Sequence, residues 1–138
     1  MMAFNRWNEF FGFNNGASNY LPGMNRDHNP IFHNKKIINR SYEKSGISRD
    51  EINQKGVLQI DRQQYLTDLI ADYTLSFIEE NRERPFLCYL PFNAIHGPFQ
   101  APKDLYEKYA SEKNHQRRLN MAMLDSMDHN IGRVLNKL

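Results

Sequence analysis

A single cysteine, Cys88, excludes an internal disulfide and leaves the redox compartment unread. No run of about 18 apolar residues occurs, so no segment reads as a membrane-spanning helix. The first residues, Met1-Met2-Ala3-Phe4-Asn5-Arg6-Trp7, lack the apolar core of a secretory signal. That absence describes this chain and not any longer parent. Charge of one sign is also missing: 18 Lys and Arg stand against 16 Asp and Glu, for a net charge of +2. The basic residues are scattered, and Lys35-Lys36 and Arg117-Arg118 are only pairs. No stripe that would track a nucleic-acid backbone is present, and a solvated surface is the better reading. Internal repeats and low-complexity segments are absent.

What is there is unevenly placed. The chain has 138 residues, the size of one domain, and a compact fold of that length buries roughly two-thirds of its unfolded surface. The apolar fraction is 40% and the mean hydropathy −0.75. Positions 14–64 are mostly polar, while 65–138 carry clear hydrophobic periodicity. Residues 4–29 are rich in aromatics, Asn and Gly, with turn signals at Asn15-Gly16 and Pro22-Gly23. Ile31-Phe32 and Ile37-Ile38, on either side of His33-Asn34-Lys35-Lys36, form a candidate hairpin. Residues 39–64 have no strong period and read as an exposed connection.

From Tyr65 the pattern becomes helical. Leu66, Leu69, Ile70, Tyr73, Phe77 and Ile78 recur at spacings of three and four, one apolar face of a helix. Thr67 or Asp68 is a candidate N-cap, and Pro85 cannot continue the helix. Phe86-Leu87-Cys88-Tyr89-Leu90 is a short continuous apolar run, the pattern of a strand buried on both faces, and this makes Cys88 a buried, inert thiol. Pro91 to Pro102 is then a loop at the strand's C-terminal end, where open α/β sheets place ligands. A last helix is expected from Asn114–Arg117 to Leu138, with Leu124, Met127, Ile131, Val134 and Leu138 on one stripe and Gly132 at a close approach. Helix, buried strand, ligand-type loop and helix together indicate an α/β fold. One strand does not make a sheet, so its partner strands are expected from sequence outside this chain.

The loop carries the candidate chemistry. His96 stands past the strand in Asn93-Ala94-Ile95-His96-Gly97-Pro98, with Asn93 and Gln100 as polar neighbours. A loop histidine there can donate an N–H to an anionic oxygen or a leaving group. It can equally be a structural histidine bonded to loop carbonyls, and the residues alone leave both open. His28 and His33, five apart, lack the further convergent groups of a metal site. His115, His129 and Lys103 read as surface residues, and Asp128 as a packing or capping group.

The strand and loop resemble the segment of type I sulfatases that runs apolar strand, Asn-Ala-x-His-x-Pro, then Ala-Pro. Trp7-Asn8-Glu9-Phe10-Phe11-Gly12-Phe13, Tyr65-Leu66-Thr67-Asp68, and Arg117-Arg118 through Ile131-Gly132-Arg133-Val134-Leu135 are similar to other segments of that family, in the same order. The resemblance covers nearly the whole chain except about 39–64. It implies an alkaline-phosphatase-like α/β fold, of which 1–138 is an internal fragment of the catalytic domain. Residues 1–64 would be loop-rich with a small hairpin, and 65–138 helix, strand, loop and helix. It implies sulfuric ester hydrolysis of the arylsulfatase kind. It makes His96 a catalytic and substrate-binding residue that contacts the sulfate or its leaving oxygen, and it brings Asn19 and Tyr20 toward a substrate mouth as sugar contacts.

The family's formylglycine nucleophile arises in a Cys/Ser-x-Pro-x-Arg motif, and its Ca²⁺ is held by acidic residues and an Asn. Cys88 is followed by Tyr89-Leu90-Pro91, so it is not the formylglycine precursor. No Asp-Asp pair, Gly-Lys-x-His motif or Asp-Asn-Gly strand end occurs. Nucleophile and cation sites are therefore expected outside this sequence, with no metal ligand within it and the isolated chain inactive. The expected partner of the parent enzyme is a sulfated small molecule or sulfated glycan, with no nucleic acid and no membrane. Family members are commonly secreted, periplasmic or lysosomal. Two alternatives remain: a phosphate mono- or diester hydrolase of the same superfamily, distinguished by a Thr or unmodified Ser nucleophile, and a non-catalytic remnant, which would expose apolar surface and aggregate.

Overall fold

The computed structural model describes residues 9–13, 20, 31–37, 56–58, 62 and 65–138. Among them the order is β1 (Phe11–Gly12), β2 (Phe32–His33), β3 (Lys36–Ile37), β4 (Val57–Leu58), α1 (Leu66–Asn81), β5 (Ala101–Pro102), α2 (Lys103–Lys108) and α3 (His115–Lys137). The fold is mixed α/β. Antiparallel β2 and β3 pair Phe32 with Ile37 and His33 with Lys36. Their turn is therefore the two residues Asn34-Lys35, tighter than the four-residue link suggested by the apolar pairs. Asn34 has φ 55°, the left-handed conformation that Asn tolerates in such turns. β1 adds to β2, and the Phe10 amide donates to Asn34 Oδ1.

The second ladder was not visible in the sequence. β4 runs parallel to β5, pairing Val57 with Ala101 and Leu58 with Pro102. Leu58 is wholly buried, so this part of 39–64 is core and not exposed connection. Two paired residues per strand are too few to produce an alternating pattern. Gly56, at φ +62°, makes the approach possible: a Cβ there would collide with the Phe99 carbonyl oxygen and with Leu119 Cδ1.

α1 starts one residue after Tyr65, whose side chain makes no capping bond. The first-turn amide of Leu66 instead donates 2.7 Å to the Tyr20 carbonyl, so a distant segment supplies the acceptor expected from Thr67 or Asp68. This frees Asp68 for another role. It lies buried and accepts from Arg62 Nε (2.5 Å) and Nη2 (3.0 Å), from Ser126 Oγ (3.0 Å) and from Asn130 Nδ2. The last two donors are on α3.

This network decides which face of α3 is inside. Leu119, Ala122, Met123, Ser126 and Asn130 are buried, whereas Leu124, Ile131 and Leu138 are exposed. Of the apolar stripe expected to face the core, Leu124, Ile131 and Leu138 thus point outward, and Met127 and Val134 are half-buried. Ala122, Ser126 and Asn130 share the inner face with Leu119 and Met123, and α1 offers its carboxylate to the two polar ones. A Cβ at Gly132 would meet nothing within 4 Å, so that glycine marks no close packing. Asn114 caps α3, its side chain accepting from the Arg117 amide at 2.9 Å.

Two apolar clusters result among the described residues. One joins Tyr20, Leu58, Tyr65, Ala101, Leu119, Ala122 and Met123. The other joins Ile31, Leu66 and Ile70, with Phe11, Phe13, Leu90 and Phe92 against them. Residues 86–90 correct the expectation of a strand buried on both faces. The run has no strand assignment, Leu87 is 78% exposed, and Cys88 is an exposed thiol. Its composition is that of a covered strand, but the described residues cover only part of it. No helix among them is long and apolar enough to cross a membrane.

Candidate active site

His96 lies on the loop between α1 and β5, and the chain holds that loop at several points. At its start, Thr67 Oγ1 on the first turn of α1 reaches Asn93 Oδ1 at 3.4 Å. At its end, Gln100 is buried, its carbonyl accepts from the Tyr65 hydroxyl at 2.8 Å, and its Oε1 accepts from the Tyr20 amide at 3.1 Å. The next residue, Ala101, donates its amide to the Gly56 carbonyl at 2.8 Å. In the middle, the Tyr20 hydroxyl sits 2.9 Å from the Asn93 carbonyl and 3.1 Å from both the amide and the carbonyl of His96. The Ala94–Ile95 and Gly97–Pro98 peptide bonds within the loop are cis.

This clamping leaves the imidazole exposed. His96 Nδ1 lies 2.7 Å from the Gly97 carbonyl. A carbonyl can only accept, so Nδ1 carries the proton and donates, and Nε2 is the nitrogen left to act. A neutral ring then accepts at Nε2, and a protonated ring donates from it. The bond to a loop carbonyl is thus present in an exposed side chain whose Nε2 remains available.

A cleft of about 710 Å³ opens beside it, lined in part by Phe11, Tyr73, Phe77, Leu90, Asn93 and His96. Its walls are chiefly the aromatic faces of β1 and α1 and the run 87–92. Phe11 stacks on Tyr73 with ring centres 3.8 Å apart. Glu9, also on the wall, meets His33 Nε2 at 3.0 Å.

The other candidates fall as follows. Tyr20 is 1% exposed and lies under the loop, not at a mouth. Burial raises its phenol to about 12, with the bond from His96 acting in the opposite direction. Asn19 and His28 lie outside the described residues. His33 is engaged by Glu9, and His115 is exposed with Nδ1 2.7 Å from the Tyr106 hydroxyl. His129 and Asp128 are exposed, and Lys103 is an exposed partner of Glu107 at 3.6 Å. Sequence reasoning missed the clamp of Tyr65, Thr67 and Gln100. In the sequence these residues read only as a helix start, a cap and a polar neighbour, and nothing in their spacing announces that they converge.

The chain belongs to the sulfatase family. Its family model, described as Sulfatase, matches residues 4–138. A protein named Sulfatase from Formosa agariphila is 32% identical over 80 residues, 54% of this chain and 14% of that protein. The crystal structure of Ps i-CgsB aligns with a TM-score of 0.73 at 23% identity, covering 96% of this chain and 28% of the other. The same protein in complex with k-i-k-neocarrahexaose aligns at 0.72 with the same identity and coverage. The chain thus has a sulfatase-like fold and spans less than a third of the relatives it matches.

The sulfatase family implies a bound cation. Among the described residues no three of His, Cys, Asp and Glu converge. The buried carboxylate, Asp68, already has its oxygens taken by four donor atoms. A hard cation needs about six oxygen ligands. These residues do not fit one.

Proposed function

We propose that this chain is the part of a sulfate-ester hydrolase that presents His96 to the sulfate group or its leaving oxygen. The observation that carries the proposal is the loop itself. Its backbone is fixed by buried tyrosines, and Nδ1 is committed to a carbonyl, so Nε2 is the nitrogen directed to chemistry. In hydrolysis of R–O–SO₃⁻ by water, the S–O bond breaks and the leaving oxygen gains negative charge. A protonated Nε2 can donate to that oxygen or offset its charge. Family membership supports the reaction class, and the sequence order Asn93-Ala94-Ile95-His96-Gly97-Pro98 supports the residue.

The substrate class we propose is a sulfated glycan, or a smaller sulfate ester of the aryl type. The complex of Ps i-CgsB with an oligosaccharide supports the glycan. Formylglycine and Ca²⁺ would come from sequence outside this chain, which leaves the isolated chain inactive.

The test begins with the flanking coding DNA, where an in-frame Cys/Ser-x-Pro-x-Arg upstream is expected. The longer protein, assayed on an aryl sulfate, an aryl phosphate and sulfated oligosaccharides, should prefer sulfate and lose about 10²–10⁴-fold in kcat on His96→Ala. Unchanged turnover in His96→Ala would remove the residue from the mechanism. Preference for the phosphate ester would replace sulfate by phosphate as the substrate. Turnover by the isolated chain would overturn its expected inactivity.

A further inference from the structure

We infer that Tyr20 is the positioning residue of this site: its hydroxyl holds the backbone of His96 in place from beneath the loop, and with it the direction of the imidazole. The inference rests on the proposed role of His96.

The geometry is specific to one oxygen. The phenol has one proton and two lone pairs. It accepts from the His96 amide at 3.1 Å and donates to the Asn93 carbonyl at 2.9 Å, with the His96 carbonyl as its alternative acceptor at 3.1 Å. One hydroxyl therefore closes Asn93-Ala94-Ile95-His96 into a ring through its two ends. The His96 ring is oriented by its own backbone, Nδ1 bonding to the neighbouring Gly97 carbonyl, so a fixed backbone fixes the anchor that directs the ring.

Tyr20 is itself held at its backbone and at its ring. Its carbonyl accepts from the first amide of α1, and its amide donates to Gln100 Oε1. Its ring stacks on Tyr65 with centres 5.3 Å apart and planes at 18°. It is 1% exposed, so the hydroxyl is isolated from water that could substitute for it. Burial also favours the neutral phenol, which supplies the proton that the Asn93 carbonyl needs. A misplacement of about 1 Å in a catalytic group can cost on the order of 10²-fold in rate, so a fixed backbone at His96 has a catalytic consequence.

Tyr20→Phe removes the hydroxyl and keeps the ring and both backbone bonds. In this chain the His96 amide should then exchange with solvent about tenfold faster or more, since one buried hydrogen bond is lost. Tyr65→Phe is the comparison. It deletes the bond to the Gln100 carbonyl at the far end of the loop, and is expected to lower the melting temperature by a similar amount while changing His96 exchange by less than about twofold. In the longer enzyme Tyr20→Phe should lower kcat about 10- to 100-fold with little change in KM.

Equal exchange in Tyr20→Phe and the unaltered chain would overturn the inference. So would equal acceleration by both variants, which is general loosening. Faster exchange with an unchanged kcat, in an enzyme that His96→Ala disables, would overturn the positioning role alone. An enzyme indifferent to His96→Ala would instead overturn the proposed function, and the role of Tyr20 with it.

Discussion

Asp68→Asn tests the network that sets α3 against α1. The substitution keeps shape and volume and removes one buried negative charge. Asp68 is 5% exposed and accepts from four donor atoms on Arg62, Ser126 and Asn130. An amide in its place offers one acceptor oxygen and turns an NH₂ group toward donors, so some of those bonds become donor-to-donor contacts. Removing one partner of a fully buried ion pair costs about 3–5 kcal/mol. Arg62 is not fully buried: its side chain is 32% exposed and also reaches Asp104 at 3.4 Å. Water and Asp104 offset part of its lost partner, which lowers the expectation to about 2–4 kcal/mol. At about 3–4 °C per kcal/mol for a chain of this size, the melting temperature should fall by ~6–16 °C. The assay is thermal unfolding followed by far-ultraviolet circular dichroism at low protein concentration. Lys103→Ala, which breaks only the exposed pair with Glu107, should shift it little. A double-mutant cycle of Asp68→Asn with Ser126→Ala should show coupling of about 0.5–3 kcal/mol. A fall of less than about 2 °C in Asp68→Asn, or additive single effects, would refute the claim that this carboxylate sets the inner face of α3.

Three further outcomes follow from other parts of the chain. Gly56→Ala should destabilise by about 2–5 kcal/mol in urea unfolding, combining left-handed strain with overpacking against the Phe99 carbonyl and Leu119; a loss below about 1 kcal/mol would mean that the β4–β5 approach is looser than described. Burial raises the Tyr20 phenol from 10.0 to about 12, so the folded state holds that proton more tightly than the unfolded state. Its contribution to stability is fully present below pH 10 and is lost as pH rises to about 12, and Tyr20→Phe should flatten the alkaline decline of the urea midpoint, leaving the part due to Tyr65, whose phenol is also raised by burial. Cys88 is exposed, with its thiol raised by desolvation; it should react fully with a disulfide reagent, more slowly than a free cysteine at neutral pH, and should be protected in the longer protein if the run 86–90 is covered there.

The parts of the fold legible in the sequence are those whose signal is local. The apolar spacing from Leu66 to Ile78 marks α1, Asn114 marks the start of α3, and the loop of His96 follows from Pro91, Gly97, Pro98 and Pro102. The parts not legible depend on what a residue meets. Asp68 reads as a cap until the Tyr20 carbonyl takes that duty, after which its charge is free to bind α3. The stripe Leu124, Ile131 and Leu138 reads as a core face by period alone, because period does not show which face a neighbour will accept. Leu58 reads as exposed connection because a two-residue ladder has no period.

The run Phe86–Leu90 brings both lessons to the site. Its composition demands burial, and yet Leu87, Tyr89 and Cys88 are exposed in this chain. The His96 loop that follows it is nevertheless well fixed, because it is held by Tyr20, Tyr65 and Thr67 and by the β4–β5 ladder. A site loop anchored from beneath by its own chain does not need the covering of the preceding apolar run to keep its backbone geometry. The covering would decide something else: how wide the 710 Å³ cleft stays, and which part of a substrate can reach His96. Under the proposed function, positioning of the histidine and selection of the substrate are thus separable, the first belonging to residues of this chain and the second to whatever closes the apolar wall of Phe11, Phe77 and Leu87.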